Sequence, residues 1–506
     1  MSTTTATVIA LVGFLALLVG ISLWASRRNK QTPDDFFLAD RGLGTIVLMM
    51  TTGASFFSTW TLLGAVGSFY RDGVWFWAFP AWTVVHAMFI WVFGTRIWQL
   101  GRKFSFVTPG DMAEHYYGSP TLRVLFAVCG IIGLVPYMMI QIIGGATAMS
   151  TLTGGAIPYW VGIVVLGLLV GLLVTLAGGR GAAWTDTFMG FFFGIVLTGI
   201  VLTFLSSAGW FDAFRNLQDV APEILVNKGE PWTIIDTTIG LALGFWVMPH
   251  MWQKYYSARS ATNLAKAAAI TPVWNTWIMA MGALVIGMLA WTPGLIDGLT
   301  AENSDQIIPL YFAQNAPLLG AVVVVAIVAA GISTVNSQLL SSGSLLTTDL
   351  YVRFAQPRAT PRVRTIVGRA CVLSLTALVC ILGFTPAAQE FLVPLADRGF
   401  AIGSMLVPAA LGPLVWRRAT RAGALSSVIV GELIVLLVVL GYSPLPFGPA
   451  MTGLMVALPL FVIVSLATQS QVRPVQDEYH DSLAAGLYGE RPATPPADEP
   501  KTTAHV

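Results

Sequence analysis

The chain has 506 residues, of which 55% are hydrophobic and only 10% charged, and its formal net charge is +2. This composition excludes a soluble core with a single anchor and indicates an all-α integral membrane protein. The small net charge gives no sign of a nucleic-acid partner. The three cysteines lie in apolar runs without metal-ligand spacing, so we expect them to be packing residues.

About thirteen apolar stretches are long enough to cross a bilayer, which takes roughly twenty residues each. They are 8–25, 44–69, 73–98, 123–151, 157–177, 184–209, 236–252, 267–293, 316–346, 364–384, 387–416, 422–441 and 448–468, numbered here as spans 1 to 13. Lys and Arg, Lys254 among them, concentrate in the loops on one side, which the positive-inside rule makes cytoplasmic. We therefore expect a multi-pass protein of the cytoplasmic membrane, with its N-terminus outside and its C-terminus in the cytoplasm.

Spans 2 and 7 are both interrupted near their middle. In span 2 hydroxyl residues cluster around Gly53, and in span 7 Gly244 is followed by Pro249 and His250. Proline removes a backbone donor and breaks a helix, and an unwound segment at bilayer depth can line a cavity or bind a cation. Two broken helices five spans apart predict a transporter core of two inverted five-helix repeats.

This organisation divides the chain into six parts. They are an N-terminal span with a cytoplasmic loop (1–43), a first inverted repeat (44–209), an outer loop (210–235), a second inverted repeat (236–416), two C-terminal spans (417–469) and a cytoplasmic tail (470–506). The tail is rich in proline and charge, which predicts disorder.

Span 9 carries a stripe of small and hydroxyl residues. The stripe recurs at alternating steps of four and three through Ala330, Thr334, Ser337, Ser341, Ser344 and Thr348. Polar groups at bilayer depth need partners, so this face should point to a protein interior, an aqueous path or an ion site. The alternative is that each hydroxyl bonds to its own helix or lets helices pack closely.

Asp186 begins the helix that follows a glycine-rich turn at 178–181, where it either caps that helix or serves an ion path. We find no phosphate-binding loop, nucleophilic serine motif, zinc spacing or paired carboxylates. The sequence therefore favours neither an enzyme nor an ATP-driven pump.

Four segments resemble the sodium:solute symporter family. They are DFFLADRGLG at 35–44, GGRGAAWTD at 178–186, MPH at 248–250 and ISTVNSQLLSSGSLLTTDLY at 332–351. The last is the most specific, and it departs from the family pattern at Ile332 and Gly343. The resemblance implies thirteen helices with a five-plus-five inverted-repeat core, alternating access and sodium as the coupling ion.

The resemblance also implies the sodium ligands. They are the carbonyls of Ala54, Phe57 and Ala330 and the hydroxyls of Ser333 and Thr334, while Asp186, Asn336 and Ser337 are candidates for a second sodium. Oxygen ligands of this kind suit a hard cation.

The substrate is expected to bind at the two breaks. The candidate residues are Ser55, Phe56, Ser58, Thr59, Trp60, Met138, Gln141, Phe245 and Trp246. Proline-transporting members of the family have an aspartate where this chain has Phe56. A pocket of aromatics and hydroxyls without a carboxylate favours a small anion over an ammonium group, because helix-end dipoles can hold the anion. We expect import of a monocarboxylate or a pantothenate-like anion, with a neutral solute open.

Two other hypotheses remain at this point. One is proton coupling through Asp186 and His86, with the hydroxyl stripe merely structural. The other is a membrane sensor that keeps the transporter fold without transport, although the polar tail is too short to hold a signalling domain.

Overall fold

The computed structural model describes residues 2–27, 32–226, 230–443, 445–471 and 473–487. Within these ranges the chain is built from helices, and Leu43 and Ala258 form an isolated parallel bridge. Eight of the described helices are long and apolar enough to cross a membrane, or up to eleven if each of three bent pairs is one crossing. The all-helical membrane fold is thus confirmed, and the number of thirteen crossings stays a prediction.

Each predicted span lies on described helices, and we keep the span numbers for them. Spans 1 to 6 are Thr3–Ser26; Thr45–Ala54 with Trp60–Trp77; Ala81–Phe104; Pro120–Leu152; Tyr159–Leu176; and Gly178–Ala208. Spans 7 to 13 are Pro231–Val247 with Pro249–Ser257; Ala261–Trp277 continued by Ile278–Leu284 and Val285–Leu289; Pro317–Ala355; Pro361–Leu382; Leu392–Ser404 with Val407–Val415; Arg421–Val439; and Pro449–Ala467.

Shorter helices lie between the spans or follow the last one. They are Pro33–Leu38, Ala39–Arg41, Pro109–Tyr117, Phe211–Val220, Pro222–Leu225, Ser304–Gln306, Ile307–Asn315, Pro386–Gln389, Gln469–Gln471 and Pro474–Leu487.

Both predicted breaks are present. Span 2 leaves the helix after Ala54 and resumes at Trp60. Span 7 breaks at Met248, whose ψ of 138° is extended, and bends by 54° there. Met248 precedes Pro249, and the residue before a proline is pushed out of the helical region. The break in span 7 therefore has a local cause in the sequence.

Span 9 lies at the centre of the bundle. It packs against spans 1, 4 and 10 and against the pair of spans 5 and 6. In its most apolar 18-residue window 83% of the residues are buried inside the protein, against 33% for span 1. A helix this buried contacts protein on most sides, so its hydroxyl face does not meet lipid.

The C-terminal tail differs from its expected disorder. Residues Pro474–Leu487 form a helix, and Tyr479 and Leu483 of that helix are buried. The Tyr479 hydroxyl lies 2.8 Å from Nδ1 of His115 on the short helix Pro109–Tyr117. Sequence composition missed this helix because its stability comes from docking rather than from its own apolar content. Residues 488–506 of the predicted tail lie outside the described residues.

Candidate sodium and solute site

The five oxygens expected to bind sodium meet where span 9 crosses the break in span 2. The Thr334 hydroxyl lies 2.9 Å from the Ala54 carbonyl oxygen, 3.1 Å from that of Ala330 and 3.3 Å from that of Phe57. The Ser333 hydroxyl lies 2.9 Å from the Ala330 oxygen and 3.2 Å from the Ala54 oxygen. All five residues are buried. The structure thus brings together every residue of the first predicted sodium site.

This geometry suits a small cation. Ala54 is the last residue of the half-helix Thr45–Ala54, and the carbonyls at a helix C-terminus lack backbone partners and carry partial negative charge. Three carbonyls and two hydroxyls offer a neutral, oxygen-only set, as a hard cation prefers. A helix end of span 2 and a hydroxyl pair of span 9 therefore bring these five oxygens together.

Span 9 lies at the break in span 2 because glycines allow the backbones of neighbouring spans to approach closely. A Cβ atom added to Gly331 would lie 2.9 Å from the Gln141 carbonyl oxygen and 3.2 Å from a methyl of Thr59. A Cβ on Gly144 of span 4 would lie 2.6 Å from Thr59. Glycine at these two positions lets spans 4 and 9 pack closely around Thr59 of span 2.

Asp186 contacts span 2 at Thr51, three residues before Ala54. Its Oδ2 accepts a 2.6 Å hydrogen bond from the Thr51 hydroxyl, and Ser337 lies beside the same carboxylate. Its Oδ1 has no hydrogen-bond partner among the described residues, and the same holds for Oδ1 of Asn336. Of the three candidates for a second sodium, the structure brings Asp186 and Ser337 together.

Phe56 lies in a cluster of buried rings formed by spans 2, 3, 4, 7 and 11. This aromatic cluster consists of Phe56, Trp82, His86, Tyr137, Phe245, His250 and Phe400. The rings of Phe56 and Phe245 stack at 4.8 Å between centroids. Tyr137 donates a 2.9 Å hydrogen bond to the Ser55 carbonyl oxygen, and its hydroxyl lies 3.5 Å from that of Ser58. The two breaks thus share one aromatic-lined interior.

The other residues predicted to bind the solute lie outside the aromatic cluster. The Gln141 Oε1 accepts from the Thr59 backbone at 3.1 Å and from its hydroxyl at 3.0 Å, so this amide caps the second half of span 2. Trp246 packs on Phe89 and Phe93 of span 3, at 5.4 and 5.7 Å, on a different face of span 7 from Phe245. Trp60 lies 6.3 Å from Phe76, and Met138 is fully buried in span 4.

Sequence reasoning did not predict how the half-helix Pro249–Ser257 places Lys254 and His250. Lys254, expected among the cytoplasmic charges, is 5% exposed and donates to the Thr51 carbonyl oxygen at 2.6 Å and to the Ser55 hydroxyl. His250 is buried, and neither ring nitrogen has a hydrogen-bond partner within the described ranges. Their spacing of four residues, which puts both on one helix face, was the available signal.

The sodium:solute symporter family model matches residues 36–431 of this chain. The chain is 28% identical over 473 residues to a sodium/pantothenate symporter of Escherichia coli strain K12, covering 90% of this chain and 95% of that one. It is 27% identical over 448 residues to the sodium/proline symporter of the same strain, covering 84% and 85%.

Solved structures show the same architecture. A substrate-bound, outward-open sodium-coupled sialic acid symporter superposes with a TM-score of 0.78 at 18% identity, covering 91% of this chain and 98% of that one. A nucleobase-cation-symport-1 family transporter in a closed conformation gives 0.57 at 15% identity, covering 89% and 99%. These neighbours have the inverted-repeat transporter fold, which confirms the fold class predicted here.

This chain belongs to the sodium:solute symporter family. It is a multi-pass membrane protein that couples the movement of a small organic solute to sodium, and sodium is its coupling ion. The family and the structural neighbours are transporters, in agreement with the expectation that this chain is not an enzyme.

Proposed function

We propose that this chain imports a small organic anion, a monocarboxylate or a pantothenate-like molecule, together with sodium by alternating access. It acts in the cytoplasmic membrane with its N-terminus outside and its C-terminus in the cytoplasm. Sodium binds to Ala54, Phe57, Ala330, Ser333 and Thr334, and the solute binds in the aromatic cluster between the two breaks.

The position of His250 is the observation that supports an anionic solute. His250 is the second residue of the half-helix Pro249–Ser257, whose N-terminus lies at the break of span 7. A helix N-terminus carries partial positive charge, which stabilises an anion near it. The His250 ring lies 5.2 Å from Phe245 and 6.5 Å from Tyr137, inside the aromatic cluster. A neutral imidazole there can donate one N–H to a carboxylate.

The composition of the cluster disfavours a cationic group on the solute. Its seven members contribute two imidazoles and a phenol but no carboxylate, and Phe56 stands where proline transporters of the family carry aspartate. An ammonium in this buried interior would lack a charged partner, and an unpaired buried charge is costly. The similarity to a sodium/pantothenate symporter is consistent with an anionic solute.

Uptake into proteoliposomes tests the proposal. The labelled panel contains short monocarboxylates, pantothenate, proline, a hexose and sialic acid, each with an inward sodium gradient and again with potassium replacing sodium. We expect sodium-dependent uptake of a carboxylate without an ammonium group. Uptake of proline alone or of the hexose alone would refute an anionic solute. Uptake driven by a pH gradient in potassium would support proton coupling through Asp186 and His86 instead.

Two variants locate the solute in the cluster. His250→Ala should raise the solute KM while leaving sodium activation at saturating solute nearly unchanged, because His250 faces the solute and not the ion. Tyr256→Phe is the matched control on the same half-helix, since its buried hydroxyl has no hydrogen-bond partner in the described part of the chain. Phe56→Asp should change which solutes are carried, and unaltered selectivity would place Phe56 outside the pocket.

A further inference from the structure

Lys254 is a buried cation on the cytoplasmic half of span 7. Its ammonium donates to the Thr51 carbonyl oxygen at 2.6 Å and to the Ser55 hydroxyl. Thr51 lies in the last turn of the half-helix Thr45–Ala54, whose C-terminal carbonyls attract positive charge. The ammonium therefore occupies a position where a helix end offers oxygens to a cation.

Thr51 joins this ammonium to Asp186. The Thr51 carbonyl accepts from Lys254, while the Thr51 hydroxyl donates at 2.6 Å to Oδ2 of Asp186. Both charged groups are buried, and Asp186 is the charged group that acts on Lys254. A buried carboxylate needs a positive charge close by, and Lys254 supplies it without any ion from solution.

A second sodium at Asp186 does not fit these surroundings. Thr51 and Ser55 already contact the ammonium, so a sodium between Asp186 and Ser337 would face a like charge across Thr51.

We propose that Lys254 is a tethered cation in the place of the second sodium, so that this symporter couples one sodium ion to each solute. That ion binds at the oxygens of Ala54, Phe57, Ala330, Ser333 and Thr334. The inference rests on sodium coupling, which the family membership establishes, and not on the nature of the solute.

The test counts sodium ions in two ways. Equilibrium binding of ²²Na⁺ to the purified protein should give one ion per chain, and the flux ratio of ²²Na⁺ to labelled solute should be one. At zero membrane potential a tenfold sodium gradient should then sustain about tenfold accumulation of a solute, whereas two ions would sustain about hundredfold. Two bound sodium ions in the unmodified protein would overturn the inference.

Variants of Lys254 and Asp186 test the inference further. Lys254→Met leaves Asp186 without its cation, and we expect a second sodium to bind, seen as two ions per chain and a Hill coefficient for sodium that rises from about one toward two. Lys254→Arg should keep one ion. Asp186→Asn combined with Lys254→Met removes both charges and should also return the count to one.

The inference can still be tested if a variant does not fold or if no solute of the panel is transported. The binding count on the unmodified protein needs neither a variant nor a substrate, so it separates this inference from the proposed solute class. A folded Lys254→Met protein that still binds one sodium, with the affinity of the unmodified protein, would contradict the tethered cation.

Discussion

Thr334 should contribute more to sodium binding than any other side chain in the protein. Its hydroxyl lies within 3.3 Å of three of the predicted carbonyl ligands, so Thr334→Ala removes one ligand and the group that holds the others together. A contact between a hydroxyl and a charged group stabilises by roughly 1.5–3 kcal/mol. Since 1.4 kcal/mol corresponds to a factor of ten, the sodium concentration for half-maximal activation should rise about 10- to 150-fold.

The assay is sodium activation of solute uptake, supported by the sodium-dependent shift of the melting temperature in detergent. Thr334→Ser keeps the hydroxyl and should recover most of the affinity. Ser341→Ala is the matched control, because Ser341 lies on the same face two turns along and its hydroxyl donates at 2.9 Å to the Gln338 carbonyl of its own helix. If Thr334→Ala and Ser341→Ala shift sodium activation equally, the proposed site is wrong.

Three further predictions concern the fold. Gly178→Ala should destabilise the protein by roughly 1–3 kcal/mol in thermal unfolding, because Gly178 has a φ of 56° and an added Cβ would lie 2.7 Å from the Phe36 oxygen. Tyr137→Phe should cost about 1 kcal/mol by removing a buried hydrogen bond to the span 2 break. Burial, followed by the charge of Arg417, lowers the pKa of His480 to about 4. Because the docked helix holds His480 neutral, docking of 474–487 should be complete above pH 6.5 and weaken as the pH falls toward 4, measured by hydrogen exchange corrected for pH.

The breaks and the helical core could be predicted because their causes are local. Pro249 forces an extended residue before it, and hydroxyls around Gly53 are visible in the sequence. The stripe on span 9 was only partly informative. Thr334 of the stripe and the neighbouring Ser333 reach span 2, whereas Ser341 of the stripe bonds to a carbonyl of its own helix. Periodicity shows that hydroxyls share a face but not which of them meets a neighbouring break.

Lys254 and His250 could not be assigned from the sequence for a different reason. Lysine at the end of an apolar span is ordinarily a cytoplasmic charge, and burial of its ammonium depends on the oxygens of Thr51 and Ser55, some 200 positions away in the chain. Such pairings depend on how the two repeats pack, which no local pattern encodes. The same holds for the tail helix, whose partners His115 and Tyr116 lie near the start of span 4.

The proposed ion site and the aromatic cluster share one short segment, and this arrangement explains how sodium and solute binding can be coupled. The carbonyls of Ala54 and Phe57 face Thr334, while the ring of Phe56 between them stacks on Phe245. A sodium ion that fixes these two carbonyls also fixes the backbone that carries Phe56, so it favours one arrangement of the solute pocket.

Coupling of this kind between sodium binding and solute binding is reciprocal. Sodium should therefore lower the Kd of the solute by the same factor by which the solute lowers the Kd of sodium, and calorimetric titrations in either order should give equal factors. Thr334→Ala should bring this shared factor close to one, and a factor that is unchanged in Thr334→Ala would exclude a linkage through this segment.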